Sequence, residues 1–186
     1  ALVAAGKFSK LLGKVEHEKK YITTSEKVKE AILKYLWSDD KKMFYKMVNF
    51  EEGQPIYDGT MDFSSIYGIF RFRVLDVFDP KVVDSIKTME EISGRIPVGG
   101  VPRYAGDVYH LKSHDVPGNP WIITTLWLAQ YYVVAAKEEK DFDKVKEILL
   151  WVIKHAGSTG VLPEQVDAKT GEHLSATPLT WSHSEF

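Results

Sequence analysis

Two groups of side chains carry the types and spacing that chemistry would need. The first surrounds Glu164 in the run Gly160-Val161-Leu162-Pro163-Glu164-Gln165-Val166-Asp167, which continues through Gly171-Glu172-His173-Leu174-Ser175-Ala176 to Leu179-Thr180-Trp181-Ser182. Pro163 fixes its own φ, so the backbone that carries the Glu164 carboxylate is partly held. A loop of this length inside a compact domain needs a reason, and binding or catalysis is the commonest. Taken alone, Glu164 reads more readily as one more solvated loop acid, because charged residues are mostly exposed. The second group lies in Gly99-Gly100-Val101-Pro102-Arg103-Tyr104-Ala105-Gly106-Asp107-Val108-Tyr109 and is followed by Gly118-Asn119-Pro120-Trp121. Arg103 and Asp107 could be a plain surface ion pair, worth little.

Other chemistries find no support. The glycine-rich loop lacks the spacing of a phosphate-binding loop, and no strand is read before it. His110 and His114 are four apart, but in a loop and without a third ligand, so surface positions suit them better than a metal site. There is no nucleophile elbow and no Ser, His, Asp order. The chain has no cysteine, which removes disulfides and thiolate chemistry. No cofactor and no metal are implied.

Helices must position these groups. A short one is read from Ala1 to about Leu12, stopped by Gly13. Ser25 is read as the cap of the next, with Val28, Ile32, Leu33, Leu36 and Trp37 along one stripe. Between Met43 and Met61 the alternation changes to a strand pair with loose turns, a hairpin-like excursion and not a new domain. Helical spacing returns from Asp62 or Ser64 to about Phe78, and Pro80 opens a further helix that Gly94 and Pro97 close. The aromatic stripe from Phe63 to Phe78 suits a core better than a ligand platform. Asn119 is read as the cap and Pro120 as the first residue of a long helix, Trp121 to about Lys137, apolar almost all round and hence buried. Asp141 caps a partner that runs to Gly157, and a last helix begins near Pro178 or Thr180. Half a dozen helices in consecutive pairs give an all-α paired array.

At 186 residues the chain is one domain or part of one. Its net charge of -2, with 27% charged and 44% hydrophobic residues, is ordinary for a globular protein and too little basic for nucleic acid. No apolar run is long enough to span a membrane. A soluble protein is expected; compartment stays open, with the cytoplasm slightly favoured. The sequence opens on Ala1-Leu2-Val3 without an initiator Met and closes just as a helix begins, so both ends read as cut from a longer chain.

The run from Leu162 to Ser182 resembles the general-base segment of glycoside hydrolase family 15, the glucoamylases and their relatives. Arg103-Tyr104 with Asp107 and Tyr109, followed by Gly118-Asn119-Pro120-Trp121, resembles what these enzymes carry at the mouth of their barrel, with Gly106 where the family has an acidic residue. The resemblance implies that Glu164 activates the hydrolytic water and that Arg103 and Asp107 hold sugar hydroxyls. It also implies that Trp121 shapes the pocket and that Tyr104, Gln165 and Trp181 contact substrate. Guanidinium and carboxylate groups do make directed bonds to vicinal hydroxyls, and an indole face packs on a pyranose. The implied fold is about half of an (α/α)6 barrel with a small β-hairpin excursion. Residues 1–186 would then be the C-terminal half of the catalytic domain. The implied activity is inverting, exo-acting release of glucose from the non-reducing end of oligosaccharide or disaccharide α-glucosides. Glucodextranase and trehalase specificities belong to the same family. An inverting enzyme also needs an acid. Asp107 and Glu172 are rivals within the chain, ranked below a residue absent from it, so the fragment alone should be inactive. A non-catalytic barrel of the same kin, acting as a regulatory or interaction domain, is the alternative. The flank of a cut barrel would expose apolar surface for self-association.

Overall fold

The computed structural model describes residues 1–186 and is mostly helical, with three small antiparallel sheets. The chain starts with a helical hairpin, α1 (Leu2–Leu11) and α2 (Val15–Tyr35), turned at Gly13, whose φ of +66° suits a residue without Cβ. Ser25 does not cap α2. It sits mid-helix, and its hydroxyl bonds back to the Ile22 carbonyl at 2.7 Å. Nothing between Val15 and Thr24 breaks a helix, and Glu16 and Glu18 favour the earlier start by facing its positive N-terminal end. Ile32, Leu33, Leu36 and Trp37 reach the core as expected, whereas Val28 lies 46% exposed.

The excursion that follows is two ribbons rather than one. β1 (Trp37–Ser38) pairs with β2 (Met43–Phe44), and β3 (Met47–Glu51) pairs with β4 (Gln54–Asp58). Glu52 and Gly53 both take positive φ, +50° and +79°, the geometry that a two-residue hairpin turn demands.

Asp62 caps α3 (Phe63–Arg71) by accepting from the Ser64 and Ser65 N–H groups. The helix ends well before Phe78, because Arg73 turns left-handed at φ +57°. Asp79 caps α4 (Pro80–Ser93), with Pro80 at its first position, where a missing N–H costs nothing. Phe63 and Ile66 of α3 are completely buried, each burial worth about 1.5–3 kcal/mol. They belong to one core cluster with Val82, Ile86 and Met89 of α4, with Ile123, Trp127 and Leu128 of α5 (Ile122–Ala135) and with Val145 and Ile148 of α6 (Asp143–Lys154), while Ile122, Leu126 and Val152 form a second cluster with Leu162. Asp141 does not start α6. It closes the short 3-10 turn Glu139–Phe142, accepting from the Lys137 and Glu138 N–H groups. The final helix, α7, spans Thr180–Glu185.

The sequence reading missed a four-stranded sheet. Its strands are β5 (Val101–Pro102), β6 (Pro120–Trp121), β7 (Gln165–Val166) and β8 (His173–Leu174), in that order and all antiparallel. Each is two residues long, too short to show alternation. At Gly100, φ is +81° and an added Cβ would stand 2.6 Å from the Trp151 ring and 2.7 Å from Pro120, so the backbone passes there only as glycine.

Candidate functional site

The sheet is the frame of the candidate site. Val101 is registered with Trp121, and Trp121 with Gln165. Arg103 therefore leaves the end of β5, Trp121 sits on β6, and Glu164 precedes β7. The Glu164 carbonyl accepts the Ile122 N–H at 3.1 Å, which fixes the acid's backbone against the first turn of α5. Two threonines lock the sheet to that helix. Thr124 Oγ1 donates to the Val101 carbonyl at 2.6 Å; Thr125 Oγ1 accepts the Val101 N–H at 2.9 Å and donates to the Trp121 carbonyl at 2.7 Å. Phe63 N–H to the Arg103 carbonyl, and Ala105 N–H to the Met61 carbonyl, tie the start of α3 to the same place.

Arg103 and Asp107 form a forked pair, with Nε and Nη2 each 3.0 Å from a carboxylate oxygen. Asp107 is 1% exposed and also accepts the Tyr109 N–H. The guanidinium packs on aromatic rings, its Cζ 4.5 Å from the Trp121 centre, 5.0 Å from Tyr104 and 5.5 Å from Tyr109. Burial alone would lower the Arg103 pKa; the Asp107 hydrogen bonds and charge more than offset it, so the net shift is upward and the group stays cationic.

Glu164 presents the opposite case. Its Oε2 is enclosed and has no hydrogen-bond partner, and no side chain or backbone donor reaches its other oxygen. The residue itself is half-buried. Its backbone is held on both sides. The Glu164 N–H donates to the Ala176 carbonyl at 2.9 Å, Ser182 Oγ to the Pro163 carbonyl at 2.8 Å, and the Leu162 N–H to His183 Nε2 at 3.0 Å. Gln165, wholly buried, accepts from Asn119 Nδ2 at 2.9 Å, while its own Nε2 has no partner. Asn119 is not the cap of α5, which starts at Ile122 behind Trp121. Pro120 is in β6, and the Asn119 amide bridges the His110 carbonyl, Gln165 and the Ala168 N–H.

A cavity of about 440 Å³ opens beside this frame. Arg103, Tyr104, Trp121 and Trp181 are on its wall, and so are two residues that the sequence did not single out, Lys46 and Trp127. Trp127 stacks on Tyr67, with centres 4.3 Å apart and planes 8° off parallel, and meets Trp181 edge-on at 5.6 Å. In the sequence it was one more apolar residue of an all-round apolar helix, and only coordinates distinguish its role. Three expected site residues are not on this wall. Asp107 stands behind Arg103, Gln165 is sealed under Asn119, and Glu164 is linked to the wall only by its carbonyl, which the Ile122 N–H beside Trp121 bonds. Of the rival acids, Asp107 is committed to Arg103, and Glu172 is exposed, 3.5 Å from Lys112. His110 and His114 are exposed. A further cavity, about 340 Å³ between α4, α5 and α6, contains none of the expected site residues.

Comparison with known proteins gives this geometry a context. A sequence profile described as glycosyl hydrolases family 15 matches residues 142–186. Over its whole length the chain is 34% identical, across 195 aligned positions, to an uncharacterized glycosyl hydrolase of Methanocaldococcus jannaschii. The chain belongs to glycoside hydrolase family 15. It spans 29% of that relative. It is also 27% identical to Trehalase 1 of Sulfolobus acidocaldarius over 115 residues, which are 61% of this chain and 18% of that one. Among solved structures, a bacterial glucoamylase complexed with acarbose superposes with a TM-score of 0.75 at 21% identity, covering 99% of this chain and 30% of that one. The glucoamylase of Saccharomycopsis fibuligera superposes with a TM-score of 0.74 at 17% identity, covering 99% and 51%. The family 15 chain thus has part of the glucoamylase fold. None of its helices is long and apolar enough to cross a membrane.

Proposed function

We propose that residues 1–186 are the C-terminal half of an (α/α)6 catalytic domain. The activity we assign is that of an inverting exo-glycosidase that releases glucose from the non-reducing end of α-glucosides. In this reading Glu164 is the general base. The observation that carries it is the carboxylate of Glu164: its backbone is pinned on both sides, one oxygen is enclosed, and no protein donor occupies either oxygen. Such a group keeps its lone pairs for a water, whose proton it accepts as the oxygen attacks the anomeric carbon. Inversion requires a second carboxyl group about 6.5–9.5 Å away that protonates the departing oxygen, with the water between. We assign that acid to a part of the protein outside this chain, since Asp107 is engaged and Glu172 is solvated.

Arg103, oriented by Asp107, donates to vicinal hydroxyls of the glucosyl unit, and Tyr104 and Trp181 complete the wall with Trp121. Gln165 acts one layer back, holding Asn119 and the turn that carries Glu164. The complex of the bacterial glucoamylase with acarbose, and that of a similar glycosidase with glucose, support a glucoside as the substrate. The likeness to a trehalase keeps trehalose among the candidates.

The test uses the polypeptide that carries this chain together with its acid. It is incubated with maltose, isomaltose and trehalose, and the first anomer of glucose released is read by NMR. β-Glucose is expected, with Glu164→Gln reducing kcat about 10²- to 10⁴-fold. α-Glucose as first product, or full activity in the variant, would remove the mechanism.

A further inference from the structure

Lys46 stands on the wall of the same cavity as Arg103, yet the charges around it are unequally committed. Arg103 is neutralised by its forked pair with Asp107. The Asp62 carboxylate, also on the wall, is occupied as the cap of α3, accepting from the Ser64 N–H and hydroxyl and from the Ser65 N–H. Lys46 is different. No carboxylate lies within 4.0 Å of its ammonium, and no acceptor is bonded to it. The nearby Asp58 is bound instead to the Thr60 N–H at 3.0 Å.

The ammonium is nonetheless held in place. The Lys46 N–H donates to the Asp58 carbonyl at 3.1 Å, at the root of the β3–β4 ribbon, and Nζ sits 3.8 Å from the centre of the Tyr104 ring. A cation over an aromatic face keeps its remaining protons free to donate. The Tyr104 ring is shared with Arg103, whose Cζ is 5.0 Å from its centre, so the two cations address one cavity from neighbouring positions. Asp58 is close enough to feel the Lys46 charge but is not bonded to it, and a half-buried ammonium with no carboxylate in contact, in a concave site, attracts an anion more than a solvated lysine does.

We propose that Lys46 is a specificity-determining residue that selects substrates in which the leaving part of the glucoside carries a negative charge, a phosphate ester or a carboxylate. The inference rests on the glycosidase reading above and deepens it, with Arg103 holding the neutral glucosyl unit and Lys46 reading its neighbour. A charge-assisted hydrogen bond of this kind raises affinity roughly 10- to 100-fold over the neutral analogue.

The test is isothermal titration of the full polypeptide that carries this chain, with turnover blocked by Glu164→Gln, against maltose, maltobionate, trehalose 6-phosphate and inorganic phosphate, repeated with Lys46→Met and with Lys46→Arg. Expected is at least a 10-fold preference for the two anionic glucosides over maltose, weakened by added salt, lost in Lys46→Met and retained in Lys46→Arg. An unchanged melting temperature verifies that both variants fold. Maltose bound with no anionic preference, or a preference that survives in Lys46→Met, overturns the role of Lys46 and leaves the glycosidase reading standing. Inorganic phosphate bound as tightly as the sugar phosphate overturns it too, since the site would then read the anion and not a sugar. Failure of every sugar to bind overturns both.

Discussion

The two sides of the candidate site differ in how their polar groups are employed. On the Arg103 side the ion pair itself is fully engaged, with two bonds to Asp107, three aromatic rings and a backbone N–H on the carboxylate, while the Lys46 ammonium and the Trp121 and Trp127 Nε1 atoms on the same wall have no hydrogen-bond partner. On the Glu164 side the backbone is equally well tied, but the carboxylate ends in an enclosed oxygen with no partner, and the neighbouring Gln165 keeps an idle Nε2. A buried polar atom without a partner is costly, and native proteins seldom retain one without cause. On the function proposed above, the contrast separates a side built for holding from a side kept open for reaction.

That contrast can be broken from either side. The largest effect is expected at Glu164: changing it to Gln removes the basic oxygen with almost no change of shape. Activity of the assembled enzyme should fall 10²- to 10⁴-fold while the melting temperature holds or rises, because an unpaired charge has gone. Asp107→Ala should do the reverse in kind, lowering stability by about 1–3 kcal/mol and weakening sugar binding, as followed by denaturant unfolding and titration with glucose. A drop in kcat with unchanged stability would erase the distinction between the two sides. Thr125→Val deletes the hydroxyl that joins β5 to α5. We expect a loss of about 1–2 kcal/mol in unfolding experiments, with catalytic consequences only through the displaced Arg103.

The smallest effect concerns pH. Burial tends to raise the Asp167 pKa, but hydrogen bonds from the Thr170 and Lys169 N–H groups hold it below the ordinary value of 3.8. A carboxylate with a depressed folded pKa contributes stability that is complete above pH 3.8 and fades as pH falls through the folded value. Protection of the Lys169 and Thr170 amides, measured relative to the intrinsic exchange rate at each pH, should fall only in that acidic window, and a fall nearer neutrality would point to another group.

How far the sequence could be read follows from the reach of each signal. The start of α3 near Asp62 and that of α4 at Pro80 were legible because periodicity and a first-position proline are local signals, whereas the end of α3 was read too late, at about Phe78 instead of Arg71. Ser25 misled because a good cap residue also tolerates the middle of a helix when its hydroxyl bonds back to the preceding turn. Asn119-Pro120 misled more instructively. The pair has the chemistry of a helix start, but Asn119 spends its amide on Gln165 and Ala168, forty-odd positions away, and Pro120 becomes a strand residue. The residue types around Glu164 and Arg103 marked where to look. Their adjacency was invisible, because it depends on strands of two residues that leave no pattern. Lys46 gave no sign at all, being one lysine among many until Tyr104 is seen beneath it.

The brevity of those strands has a kinetic consequence. Val101, Trp121 and Gln165 are far apart in the chain, and none can pair until loops have closed to bring them together, whereas each helix can form from its own neighbours. The helices should therefore gather early, and the cavity wall should be the last part to take shape. A refolding experiment followed at two wavelengths, far-ultraviolet ellipticity for the helices and fluorescence for Trp121 and Trp127, would see the second signal lag behind the first.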